Sequence, residues 1–316
     1  MIPPRTAASV EPPPGALSGV LYGVAAYGWW GFVAIYFKLV AAVDPLEVLA
    51  HRIVWSVAVL LIMIAALGRW RSIAAVLRSG RALLWLAAST VLIAVNWYVF
   101  IWAVSHGRIV EASLGYFINP LVSVLLGFFF LGERLRRGEW VGVGLAALGV
   151  GWLTFGAGVF PSISLLLAFS FGGYGLVRKL AGVGPIEGLT IETALLLPLA
   201  AGWLLWRAHD GTAAFGEVSV GLDLLLLASG PVTALPLLWF AAAVRRLRLA
   251  TIGLLQYIAP TIQFILAVAV YGEPFGGPRL VAFALIWIAI AIYSADNVRA
   301  RRGRLALTRG AHVDPP

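Results

Sequence analysis

The chain has 316 residues, 61% of them hydrophobic, and only 12% carry a charge, against roughly 25% in soluble domains. With a mean hydropathy of +0.94, so much apolar surface excludes a water-soluble monomer, which still exposes roughly a quarter of its unfolded-state surface once folded. A net charge of +9 belongs first in the cytoplasmic loops of a lipid-embedded chain, and the absence of cysteine removes disulfides, thiolate metal sites and thiol nucleophiles.

Residues 1–16 hold five prolines between Pro3 and Pro14 and read as a disordered tail. Leu17 to Phe37 follows as an apolar run of about 21 residues, enough to cross the hydrocarbon layer and too long for a cleaved signal core, so it is an uncleaved first span. Further apolar runs lie at 46–67, 82–104, 112–131, 140–157, 162–177, 188–206, 222–244, 250–270 and 280–294. These make ten predicted spans, the sixth and tenth being the shortest. Their connections alternate in charge. Of the 23 Lys and Arg residues, 18 fall in the tails and alternate connections of one side, among them Arg69, Arg71, Arg78, Arg81, Arg178, Lys179 and the series from Arg299 to Arg309. That side is the cytoplasm, so both termini are expected there. Nucleic acid is not needed to explain the pI.

A shift of 140 residues superimposes one half on the other. Lys38 falls on Arg178, Pro45 on Pro185, Glu47 on Glu187, Arg108 on Arg248, Pro120 on Pro260 and Glu133 on Glu273. Gly142, Gly144, Gly149 and Gly151 fall on Ala282, Ala284, Ala289 and Ala291. Five spans per half is an odd number, so the second half is expected upside down in the membrane, the architecture of many secondary transporters. The small residues of the fifth and tenth spans let backbones approach closely, either within the chain or across a homodimer.

Prolines at the middle of the fourth span (Pro120) and the ninth (Pro260) each remove a backbone hydrogen bond. Polar residues collect beside them: Tyr116 and Asn119 in one, Gln256 and Tyr257 in the other. Such breaks are tolerated at depth where they line a cavity or where neighbouring helices relieve them, so these four residues are candidates for a substrate site. Arg52, about 10 Å into the second span, and Glu192, its repeat counterpart in the seventh, are candidates for charge recognition or proton coupling, or else form structural ion pairs or snorkel. His51, Asn96 and Trp30 complete the candidate set. Trp29, Trp30, Trp97 and Trp102 read as an aromatic wall or as interfacial anchors. No spacing of His and carboxylates suits a metal, and no nucleophile elbow, His-Glu-x-x-His pair or Walker loop is present. Neither an enzyme nor a cofactor is expected.

Several segments are similar to a known family. HRIVWS (His51 to Ser56), NWYVFIWAV (Asn96 to Val104), EASLGYFINPLV (Glu111 to Val122), YGLVRK (Tyr174 to Lys179) and RRLRLATIGLLQYIAPT (Arg245 to Thr261) resemble the RarD-type permeases of the EamA family, in the drug/metabolite transporter superfamily. The resemblance runs from about residue 17 to 295. It implies an all-α integral membrane protein with two inverted five-helix EamA repeats, at 17–157 and 158–295, followed by a basic cytoplasmic tail at 296–316. It also implies a carrier of the cytoplasmic membrane with alternating access around a central cavity, but supplies no substrate. Taken with the residues, the expected function is secondary transport of a small amphipathic or zwitterionic metabolite or drug. A membrane receptor or scaffold that binds without transporting is the alternative.

Overall fold

The computed structural model describes residues 16–132, 135–156, 160–246 and 255–310. Among them all regular structure is helical: α1 (Ala16–Leu39), α2 (Pro45–Ala66), α3 (Trp70–Leu77), α4 (Gly80–Ser105), α5 (Ile109–Leu131), α6 (Arg137–Gly151) running into a π-helical turn (Trp152–Gly156), α7 (Ser162–Ala181), α8 (Pro185–His209), α9 (Val220–Arg246), α10 (Ile258–Ile265) running into a second π-helical turn (Leu266–Val270), and α11 (Pro278–Gly310). Nine helices among the described residues are long and apolar enough to cross a membrane, and a shorter one, Ile258–Val270, stands where the ninth span is expected. The protein is an all-α membrane protein.

Local chemistry sets the helix ends. Asp44 caps α2 by accepting from the Leu46 and Glu47 amides at 2.9 and 3.2 Å, with Pro45 in the first turn, where its missing N–H costs nothing. Glu273 caps α5 from far along the chain, one carboxylate oxygen on each of the Ile109 and Val110 amides at 2.8 Å. α5 ends at Gly132, whose φ of 66° suits the left-handed closure that glycine allows.

The structure differs from the sequence expectation in three respects. α3 is an additional eight-residue helix with Ile73 buried and Trp70 and Leu77 exposed. α7 and α11 outlast their apolar cores, at 20 and 33 residues, because basic residues continue a helix without having to lie in hydrocarbon. The third difference concerns the prolines. α5 continues through Pro120, whereas a turn at Gln256 and Tyr257 precedes α10 and leaves Pro260 in that helix's first turn, where proline is well tolerated. The expected pair of midspan breaks is therefore unequal, and residues 250–254 of the ninth span lie outside the described residues.

The halves pack mainly against each other. α1 packs on α9 and α10, α7 on α4 and α5, α2 on α8, and α6 on α11. Exchanging each span for its counterpart 140 residues away turns α1–α9 into α7–α4 and α1–α10 into α7–α5, and returns α2–α8 and α6–α11 to themselves. Glycine lets helices approach closely, as is usual in membranes. A β-carbon at Gly115 of α5 would lie 2.6 Å from the Ser164 carbonyl oxygen of α7, and one at Gly230 of α9 would lie 2.5 Å from the Trp55 carbonyl oxygen of α2. Gly142 and Gly149 face the Ala289 and Ala282 carbonyls, so these small residues of α6 serve contact with α11 inside the chain.

Ion pairs staple α2 to α8 at both ends. Glu47, at the start of α2, accepts from Arg207 at 3.1 Å and from the Ala214 amide at 2.7 Å. Glu187, its repeat counterpart at the start of α8, pairs with Arg69 at 2.7 Å. The beginning of each helix thus meets the end of the other, as in an antiparallel pair.

Candidate functional site

α2 carries Arg52 seven residues beyond Pro45, roughly 10 Å along the helix. Its Nε donates to Thr233 Oγ1 of α9 at 2.9 Å. Thr233 uses its own hydroxyl proton on the Ser229 carbonyl at 2.9 Å, which leaves a lone pair for the guanidinium. The flat face of Arg52 lies 4.2 Å from the centre of the Trp97 ring and 5.7 Å from that of Phe37, within the range of cation–π attraction. Arg69, Arg108, Arg136, Arg178, Arg207 and Arg279 all have carboxylate partners. Arg52 has none among the described residues.

Glu192 has different surroundings. It is fully buried on α8, takes a hydrogen bond from Ser89 of α4 at 2.5 Å and another from the Tyr174 hydroxyl of α7 at 3.3 Å, and pairs with Arg178 Nε at 3.6 Å. Gly188, one turn before Glu192, makes room for that guanidinium, since a β-carbon there would overlap it.

Between the two charges lie Asn96 and Tyr116. The Tyr116 hydroxyl donates to Asn96 Oδ1 at 3.1 Å, and Asn96 Nδ2 donates to the Leu167 carbonyl and Ser170 Oγ, each at 3.1 Å. Asn96 therefore ties α4, α5 and α7 together. Rings continue the line: Phe37, Phe100 and Tyr116 lie at successive centroid distances of 5.8 Å, then Phe171 at 6.1 Å and Tyr174 at 6.0 Å. A row of aromatic and polar groups thus runs from Arg52 to Glu192 across both halves. Asn119 adjoins it on α5, buried, with Oδ1 lacking a hydrogen-bond partner among the described residues. Its Oδ1 lies against Gly172, which lines a groove of about 230 Å³ between α5 and α7 that reaches Gly127, Leu176 and Lys179.

The other predicted residues lie in three places. Trp30 packs with Tyr27 and Phe240, and its carbonyl accepts from Gln263 of α10 at 3.0 Å. Gln256 and Tyr257 occupy the turn before α10, the Tyr257 ring stacking on Phe117 at 6.5 Å. His51 points elsewhere, its Nδ1 accepting from Trp55 at 3.3 Å and its ring against Phe215 at 5.1 Å. That contact fixes the proton on Nε2, as a neutral imidazole requires, and Nε2 is buried with no partner among the described residues.

Sequence reasoning passed over Thr233, Ser89, Tyr174 and Arg178. By sequence, Arg178 belongs to a cytoplasmic connection. Thr233 stands between Pro231 and Pro236 inside α9, and those prolines were the available signal. Pro236 frees the Val232 carbonyl four residues earlier, and Trp29 of α1 supplies the missing donor through Nε1 at 2.9 Å, so Trp29 acts as a bridge between α1 and α9.

Comparison with known proteins agrees with this architecture. The model of the EamA-like transporter family matches residues 17–155. Protein RarD of Streptomyces exfoliatus is 47% identical over 93% of this chain and 94% of that protein, and Protein RarD of Salmonella typhi is 46% identical over 90% and 97%. Chloramphenicol-sensitive protein RarD of Pseudomonas aeruginosa is 35% identical over 90% and 98%. A protein of known crystal structure shares the fold with a TM-score of 0.57 at 23% identity, over 90% of this chain and 98% of its own. With near full-length identity at this level, the chain belongs to the EamA-like transporter family, among its RarD proteins.

Proposed function

We propose that the chain is a secondary transporter that carries a small amphipathic or zwitterionic metabolite or drug across the cytoplasmic membrane. Residues 17–157 and 158–295 act as two inverted modules, both termini lie in the cytoplasm, and alternating access occurs around the row from Arg52 to Glu192. The observation that carries this reading is the set of helix pairs that exchange of the halves leaves unchanged. A bundle whose two halves pack in equivalent ways has two arrangements of similar energy open to it, one for each side of the membrane. The polar groups at depth then have a use that lipid-facing structure would not give them. A drug-sized cargo is in keeping with the chloramphenicol sensitivity named for one relative.

Glu192 is the group we assign to proton coupling. Its carboxylate, buried between Ser89, Tyr174 and Arg178, changes the balance of that cluster when it gains a proton. The test is uptake of a metabolite and drug panel into proteoliposomes, with and without a pH gradient. Gradient-driven flux in the wild type and a flattened pH profile in Glu192→Gln are expected. Absence of flux for the whole panel would reject the carrier, and an unchanged Glu192→Gln profile would reject the coupling.

A further inference from the structure

We infer that the cargo carries a carboxylate or similar planar oxyanion, and that Arg52 is the residue that recognises it. This deepens the transporter reading and rests on it. The interior glutamates Glu47, Glu187 and Glu192 each have an arginine partner: Arg207, Arg69 and Arg178. Arg52 is left over. A lone cation at this depth is costly unless something of opposite charge meets it, and the described groups bonded to it or stacked on it are a neutral hydroxyl and ring faces.

The geometry leaves the useful end of the side chain free. Thr233 takes Nε, Trp97 supports one face, and among the described residues no acceptor engages either terminal nitrogen. Neither nitrogen is sealed in as a buried unsatisfied group. Two parallel N–H donors on a guanidinium held this way match the two oxygens of a carboxylate, the bidentate pairing that distinguishes Arg from Lys. Phe37, Trp97 and Tyr116 around the fork favour an apolar or aromatic body on the same molecule.

Benzoate and 3-phenylpropionate, with benzamide and 3-phenylpropionamide as neutral matches, are the probes. Thermal unfolding of the purified full-length protein in detergent is the readout. Millimolar carboxylate is expected to raise the melting temperature of the wild type by about 2–4 °C and the amides to leave it unchanged. Arg52→Gln should abolish the shift and Arg52→Lys should weaken binding about tenfold or more, since it keeps the charge and loses the fork. Equal shifts with acid and amide, no shift with either acid, or a full shift in Arg52→Gln would each overturn the assignment. Proteoliposome flux separates this from the transporter reading: a carboxylate that binds through Arg52 but never crosses rejects the carrier alone. Flux that Arg52→Gln leaves untouched rejects the recognition site alone.

Discussion

Arg52 and Glu192 occupy the same position of the two halves, 140 residues apart, yet their environments are opposite in kind. Glu192 is enclosed and its charge is answered by Arg178, Ser89 and Tyr174. Arg52 is half-buried, rests on aromatic faces and has no counter-charge in the described chain. Repeat symmetry therefore fixes where a charge can stand but not what it is for. In one half the charge is met by protein partners, and in the other it has no carboxylate partner among the described residues.

The contrast makes its largest prediction at Arg178. Arg178→Ala leaves Glu192 buried with a charge and no cationic partner, a change that typically costs about 3–5 kcal/mol. Chemical or thermal denaturation of the purified protein should show a large loss, and Arg178→Ala combined with Glu192→Gln should recover a good part of it. A single variant as stable as the wild type would mean that Glu192 does not need its partner.

Next in size is the hydroxyl that positions Arg52. Thr233→Val keeps the shape of the side chain but removes the acceptor for Nε, and hydrogen bonds to charged groups contribute about 1.5–3 kcal/mol. A fall in stability near the lower end is expected, with weaker carboxylate binding because the fork is no longer held. Trp29→Phe should cost less, about 1 kcal/mol, as it returns the Val232 carbonyl to the unpaired state that Pro236 creates. If Trp29→Phe were neutral, the α1–α9 bridge would be an ornament of packing rather than a repair of the proline.

The spans and the repeat were legible because both are carried by residue type along the chain. Apolar runs bounded by arginine mark the ten spans, and Pro45 with Pro185, or Glu47 with Glu187, fix the register. Two features escaped for local reasons. α3 is too short and too basic to show as an apolar run, and Pro260 reads equally as a midspan break or as a first-turn residue until the turn at Gln256 is seen. The site was half legible. Arg52 and Glu192 stand out as charges within apolar sequence, but their partners Thr233 and Ser89 lie 181 and 103 residues away. No pattern within a single helix could have shown that one charge is answered and the other is not. His51, Gln256, Tyr257 and Trp30 are candidates by residue type or by their place beside Pro260, and the side chains that His51, Trp30 and Tyr257 touch, Trp55, Tyr27 and Phe117, are not predictable from that local pattern.

The smallest expected effect is the most informative. Arg52→Gln removes the Thr233 hydrogen bond and the attraction of Trp97, which together favour the folded state by about 2–3 kcal/mol in sites of this kind. It also removes the cost of keeping an uncompensated cation at depth, which is of similar size and opposite sign. The two nearly cancel, so stability should change by less than about 1 kcal/mol while carboxylate binding disappears. A structural arginine would behave like Arg178, with a large loss of stability. Measuring unfolding and binding on the same two variants thus separates the roles of two charges that the repeat makes equivalent in position: Arg178→Ala should lose stability, and Arg52→Gln should lose its ligand and keep its fold.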